Sequence, residues 1–270
     1  MKKKIIRIAS NLFPNLITSF AYKQLTNPQV HKLRPNELAT LEQAEKKKYK
    51  FKDFEIQLYT WSGGDKKILL IHGWEGQAGN FSDLVETLVQ NGFTVYSFDG
   101  PSHGSSSKGS TSLFEFTELV ELLIRKNKVK NLVSHSFGGV ATTYALFTNL
   151  DLYIDKYVLL TTPDKFTERI DDVSEKVGIT YKVKNKLIKK LEKELKLDVR
   201  TLNVSTFVKD INVKDALIIH DKNDKVIPIS QSRNVHSNWN KSELIEIQGT
   251  GHFRILRTKE VIDKVLDYLN

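Results

Sequence analysis

The run Ser134-His135-Ser136-Phe137-Gly138-Gly139 follows the short apolar stretch Asn131-Leu132-Val133. A buried strand that ends in a small-residue turn around a serine presents a hydroxyl as a nucleophile, because so sharp a turn leaves little room for large flanking side chains. Ser136 would stand at the tip, and Phe137 would open a helix through Ala141, Tyr144, Ala145 and Leu146. The usual spelling of such a turn is Gly-x-Ser-x-Gly, and here Ser134 replaces the first glycine with a small polar variant. Alone, a Ser/Gly-rich turn is equally compatible with an ordinary strand–helix connection. A serine also needs a base to take its proton and an acid to hold that base in one tautomer. Downstream, Gly249-Thr250-Gly251-His252-Phe253 follows the strand-like Glu243–Ile247, and Leu217–His220 runs into a polar turn that holds Asp221 and Asp224 before Pro228. The chain order is therefore serine, acid, histidine.

These groups can meet only if the chain carries them to one place. Apolar runs at 54–61, 67–71, 94–98, 131–135, 156–160, 216–220 and 244–247 read as strands. Residues 81–90 and 113–126 carry apolar positions at three- and four-residue spacing and read as helices, as does 256–269 with Leu256, Val261, Val265 and Leu269 on one face. Strands alternating with helices predict an α/β fold, with a mostly parallel central sheet covered on both sides. Side chains at the carboxyl ends of such strands converge on one edge of the sheet.

In these motifs the chain resembles the α/β-hydrolase-fold serine hydrolases over about residues 50–270. The resemblance extends to Ile68-Leu69-Leu70-Ile71-His72-Gly73-Trp74-Glu75-Gly76, which is similar to the family's oxyanion strand and loop, and to Asp99-Gly100-Pro101-Ser102-His103-Gly104-Ser105, which is similar to a turn that is mainly structural there. It implies Ser136 as nucleophile, His252 as base and the backbone N–H groups of Phe137 and Trp74 as the oxyanion hole, with no catalytic role for Asp99 or His103. Three aspartates compete for the acid. Asp224 fits the family's position four residues before a proline and is preferred. Asp221 is read as a turn-former, and Asp164 as a helix N-cap or first-turn acid.

Among the other histidines, His72 is expected to bond backbone near the oxyanion loop, His135 to point away from the nucleophile, and His220 to be packed and satisfied. His31 and His236 have no motif around them and read as surface residues.

Between the strands near Thr161 and Ala216 the chain inserts about fifty residues, too many for a simple crossover. Residues 166–177, 183–196 and 199–209 read as helices, and the resemblance implies a cap or lid at about 163–213. Residues 1–50 are assigned to an N-terminal helical extension and 51–270 to the hydrolase domain. Within the extension a helix over about 5–22, kinked at Pro14, would dock on the body or on a membrane surface. Met1-Lys2-Lys3-Lys4 with Ile5, Ile6 and Ile8 lacks the uninterrupted apolar core of a secretory signal, since Arg7 breaks it. Lys46-Lys47-Lys48 reads as a solvated helix end.

The 270 residues carry a formal net charge of +9 and no cysteine. That excludes disulfides, thiol catalysis and zinc–cysteine sites, and fits a cytoplasmic protein. No residue spacing calls for a metal, and no cofactor is expected. Seven lysines lie between 182 and 196, where Val183, Leu187, Leu191 and Leu195 recur every four residues. A basic amphipathic helix of this kind fits a cap helix with solvated lysines, and alternatively peripheral contact with an anionic membrane. The charge is too diffuse for nucleic-acid recognition. The expected activity is hydrolysis of a small carboxylic ester or thioester through an acyl-enzyme. The alternatives are a membrane-associated lipase and a non-catalytic ligand-binding protein. By resemblance, serine rather than aspartate at the tip disfavours dehalogenase and epoxide-hydrolase chemistry.

Overall fold

The apolar runs of the four central strands are buried, and their period of two fills two cores at once. Ile68 and Leu70 of β3 (Lys66–Ile71) face one side of the sheet, and Leu69 and Ile71 face the other. Leu132 and Val133 of β5 (Asn131–His135), Leu159 and Val158 of β6 (Ile154–Leu160), and Ile218 and Leu217 of β7 (Val213–Asp221) divide in the same way. Strands apolar on both faces belong in the middle of a parallel sheet. The remaining strands are β1 (Glu45–Phe51), β2 (Phe54–Trp61), β4 (Phe93–Asp99) and β8 (Ser242–Ile247). The computed structural model describes residues 2–270; Met1 of the basic run and the side chains of Lys2, Lys176 and Leu195 lie outside the described set.

The strand order is β1-β2-β4-β3-β5-β6-β7-β8. The β1–β2 and β2–β4 pairs are antiparallel, and all others are parallel. This is the expected α/β architecture with one addition at the edge. Lys46-Lys47-Lys48 is not a helix end; it lies in β1, paired with Leu58 and its neighbours on β2. Most of β1 is exposed, and lysines on an edge strand resist pairing with another chain. With so little burial, no apolar alternation marks this strand in the sequence.

Before the sheet come α1 (Lys2–Leu12), α2 (Pro14–Thr26) and α3 (Pro35–Glu42). Pro14 therefore splits the expected single helix in two, as its missing N–H and fixed φ favour a first-turn position. The sheet is flanked by α4 (Ser82–Gln90), α5 (Leu113–Asn127) and α6 (Phe137–Thr148). The insertion holds α7 (Phe166–Val177), α8 (Tyr181–Leu195) and the short α9 (Val204–Phe207). Then follow α10 (Ile229–Ser237), the single turn α11 (Gly251–Arg254) and α12 (Lys259–Leu269). Ile170, Leu187, Leu191 and Val199 of the insertion form a separate small core that also takes in Ala21, Tyr22 and Leu25 of α2. The N-terminal helices thus pack on the insertion.

Candidate active site

Ser136 joins the end of β5 to the start of α6 with φ 52° and ψ −123°, a left-handed conformation that costs a non-glycine residue energy. The turn is held because Ser136 N–H donates to Leu160 O at 2.9 Å and Gly139 N–H donates to Ser136 O at 2.9 Å. Glycine at 138 has a steric cause. A Cβ there would lie 2.5 Å from His72 O and 2.6 Å from Ile71 O, so α6 could not approach β3. Ser134 is accommodated because its buried hydroxyl meets Tyr157 Oη on the neighbouring strand at 3.0 Å.

Two loops bring the partners. His252 lies in α11, after β8, and its Nε2 faces Ser136 Oγ at 3.0 Å. His252 Nδ1–H donates to Asp224 Oδ2 at 2.8 Å. Asp224 Oδ1 accepts from Val226 N–H at 2.6 Å and from Ile227 N–H at 3.0 Å. Burial alone would raise the Asp224 pKa, but the His252 contact and the two backbone donors outweigh it and hold the carboxyl below its usual value.

The competing aspartates serve other contacts. Asp221 Oδ1 accepts from Asn223 N–H at 2.7 Å, the expected turn bond. Its Oδ2 also reaches across to the histidine loop, accepting from Gly251 N–H at 2.7 Å, from Thr250 Oγ1 at 2.9 Å and from Thr250 N–H. Burial again opposes ionisation, and these donors overcome it. Asp164 accepts from Ser205 N–H at 2.7 Å, so the helix end it serves is α9 rather than the nearer α7. Asp99 accepts from Ala78 N–H and Ser105 N–H, both at 2.8 Å, and ties down loops.

The loop after β3 borders the serine. A Cβ on Gly73 would lie 3.1 Å from Ser136 Cβ, and the Trp74 ring packs edge-on against Phe137 with centroids 5.3 Å apart. Phe137 N–H belongs to the first turn of α6, where no intrahelical acceptor exists. Among the described residues neither it nor Trp74 N–H donates to another protein group. His72 fixes this loop: its Nδ1–H donates to Gly73 O at 2.7 Å and its Nε2 accepts from Gly100 N–H at 2.9 Å. Burial keeps His72 neutral and its pKa low.

Residues 66–176 match the family model for the alpha/beta hydrolase fold. The chain has the α/β-hydrolase fold. Among solved structures it is similar to an esterase of Pyrococcus furiosus, at 20% identity and TM-score 0.65, over 91% of this chain and 97% of that one. A bacterial membrane phospholipase A gives 14% identity and TM-score 0.66 over 98% and 95% of the two chains. Est1E of Butyrivibrio proteoclasticus, solved with ferulic acid bound, gives 18% identity and TM-score 0.65 over 83% and 99%. None of the curated proteins matches the sequence.

Within this α/β-hydrolase fold the serine and histidine open into a cavity of about 390 Å³. Its walls include Trp74, Phe253 and Leu256, and also His31, Arg34 and Glu37 from the segment around the start of α3. Among the described residues the 163–213 insertion adds nothing to this wall, although a lid there was the expectation. His31 was expected to be an unremarkable surface residue. It is exposed, yet it sits on the rim with Nε2 3.5 Å from Glu75 Oε2. No local motif marks these rim residues, since each enters the wall only through tertiary packing.

Two further histidines lie behind the site. His135 Nε2–H donates to the backbone O of His252 at 2.9 Å, and the two rings are 4.9 Å apart. Burial, reinforced by the nearby His252, pushes its pKa down to about 3. His220 is buried between Ser232 Oγ at 2.6 Å and Ile227 O at 2.9 Å, the satisfied environment expected for it.

Proposed function

We propose that the chain is a serine hydrolase that cleaves a carboxylic ester or thioester through an acyl-enzyme. The observation that carries this reading is the unbroken hydrogen-bonded series Ser136 Oγ–His252 Nε2–His252 Nδ1–Asp224 Oδ2, with contacts of 3.0 Å and 2.8 Å at its two ends. Ser136 Oγ attacks the carbonyl carbon while its proton passes to His252 Nε2. The carbonyl electron pair moves onto oxygen, where Phe137 and Trp74 N–H stabilise it. When the C=O bond re-forms, the bond to the alcohol or thiol breaks and the leaving group takes the proton from Nε2. Water then repeats the sequence on the acyl-enzyme, releasing the acid and returning the proton to Ser136. Asp224 stays ionised and holds Nδ1–H.

The cavity volume fits a small acyl or alcohol group. The esterase and phospholipase names among the similar structures support acyl chemistry over mere ligand binding. In this reading residues 1–50 form an extension that completes the pocket rim, and residues 163–213 form a cap that braces that extension. The absence of cysteine suits the cytoplasm.

The test is labelling of the purified protein with a fluorophosphonate, beside Ser136→Ala, with the adduct mapped by mass spectrometry. The expected outcome is one adduct at Ser136 that the variant lacks, and at least about a thousandfold slower p-nitrophenyl ester hydrolysis by the variant. A folded wild type that takes no label and hydrolyses no faster than Ser136→Ala would overturn the reading.

A further inference from the structure

The N-terminal helices expose their most apolar side. Ile5, Ile8 and Leu12 recur at three- and four-residue spacing on α1, and Phe13, Leu16 and Phe20 continue the pattern into α2. Each of these six side chains is between 53% and 68% exposed. The buried positions of the same helices include Ser10, Thr18 and Thr26. Against the insertion α2 packs a second apolar side, Ala21, Tyr22 and Leu25. A helix serving only to cover the body would turn its bulky residues inward and its serine and threonines outward, so the outer stripe calls for a second partner.

Charge identifies that partner. The first 26 residues contain Lys2, Lys3, Lys4, Arg7 and Lys23, and no aspartate or glutamate. The basic helix α8 adjoins them, with Lys186 Nζ donating to Asn15 Oδ1 at 2.5 Å and Lys190 Nζ 4.2 Å from the Tyr22 ring centroid. Bulky exposed apolar residues in a segment that carries five cations and no anion are complementary to a layer of anionic headgroups over hydrocarbon. Among the described residues no helix is long and apolar enough to cross a membrane, so such a segment would lie in the interface.

We propose that the outward faces of α1 and α2 dock the protein on an anionic phospholipid bilayer. The same segment continues directly into the site. Beyond α2 the chain runs through Gln29, whose N–H donates to Glu75 at 3.1 Å, into His31 and Arg34 on the pocket rim. Phe253, beside His252, is 69% exposed at that pocket. Docking therefore serves to present an ester-cleaving site to lipid-phase or surface-bound acyl substrates. This purpose rests on the function proposed above; the docking itself does not.

The test is co-sedimentation of the full-length protein with vesicles of equal parts phosphatidylglycerol and phosphatidylcholine, against pure phosphatidylcholine. Wild type is expected to bind the anionic vesicles about tenfold or more tightly, and to lose that preference in high salt. Leu16→Asp with Phe20→Asp is expected to weaken binding about tenfold or more, and Lys4→Glu with Arg7→Glu to reduce it to the neutral-lipid level. All these side chains are exposed, so thermal unfolding and fluorophosphonate labelling should match wild type and show that the variants are folded. Absence of wild-type binding, or equal binding by the variants, overturns the proposal. So does a dimer that Leu16→Asp with Phe20→Asp dissociates, if no vesicle binding accompanies it. Vesicle binding by a protein that takes no label and hydrolyses esters no faster than Ser136→Ala would leave docking standing and remove the hydrolase reading alone.

Discussion

His135 should make folding stability fall steeply in mild acid. In the folded protein its pKa is about 3, whereas an unfolded histidine titrates near 6.5. Between those values the unfolded chain binds a proton that the native protein refuses, so stability declines as pH drops below about 6.5. Each pH unit in that window costs about 1.4 kcal/mol, and by about pH 5 His135 alone removes about 2 kcal/mol. That is a large share of the about 5–15 kcal/mol that stabilises a typical domain. Burial likewise lowers the pKa of His72, His103 and His220, so the whole protein should lose more than this single contribution. His135→Asn isolates the contribution. The substitution removes the titrating ring and will cost packing energy at every pH, but the pH dependence is the informative quantity. Urea unfolding of wild type and variant at about pH 7.5 and about pH 5 should show a loss smaller in His135→Asn by about 2 kcal/mol. A loss equal in the two proteins would mean that the native fold accepts the proton, and the account of a buried neutral imidazole behind His252 would be wrong. The neutrality has a chemical use within the proposed mechanism: a cation 4.9 Å from the His252 ring would oppose protonation of the base.

Two other substitutions address the positioning of the site. Asp221→Asn places an amide where four donors now converge, and should cost about 2 kcal/mol in denaturant unfolding. Because those donors hold the histidine loop, kcat for an ester should fall about tenfold with KM little changed; an unaltered kcat would show that the loop is held by other contacts. Gly138→Ala drives a methyl group against the backbone oxygens of His72 and Ile71, and should destabilise by about 3 kcal/mol. A melting temperature like that of wild type would contradict the close approach of α6 to β3.

Features that depend on neighbours in the chain were legible without the structure. The central strands announce themselves because burial on both faces requires consecutive apolar residues, as in Ile68–Ile71 and Leu217–Ile219. The turn at Ser136 is also local, since the small residues around it answer to a sharp backbone bend. Order along the chain then limited the candidates for base and acid.

Contacts between distant segments were decided only by the tertiary structure. Asp221 and Asp224 stand three residues apart in one turn, and sequence could favour one without showing that Asp224 meets His252 while Asp221 grips Thr250 and Gly251. The partner of Ser134 lies on another strand, and β1 is held by pairing rather than by burial. The pocket wall at His31, Arg34 and Glu37 comes from a segment with no motif, while the insertion expected to form a lid packs against α2. The amphipathic pattern of the first helices was visible as a periodicity, but which side faces outward was not. Periodicity records that a helix has faces; the packing of the rest of the chain selects the one left exposed.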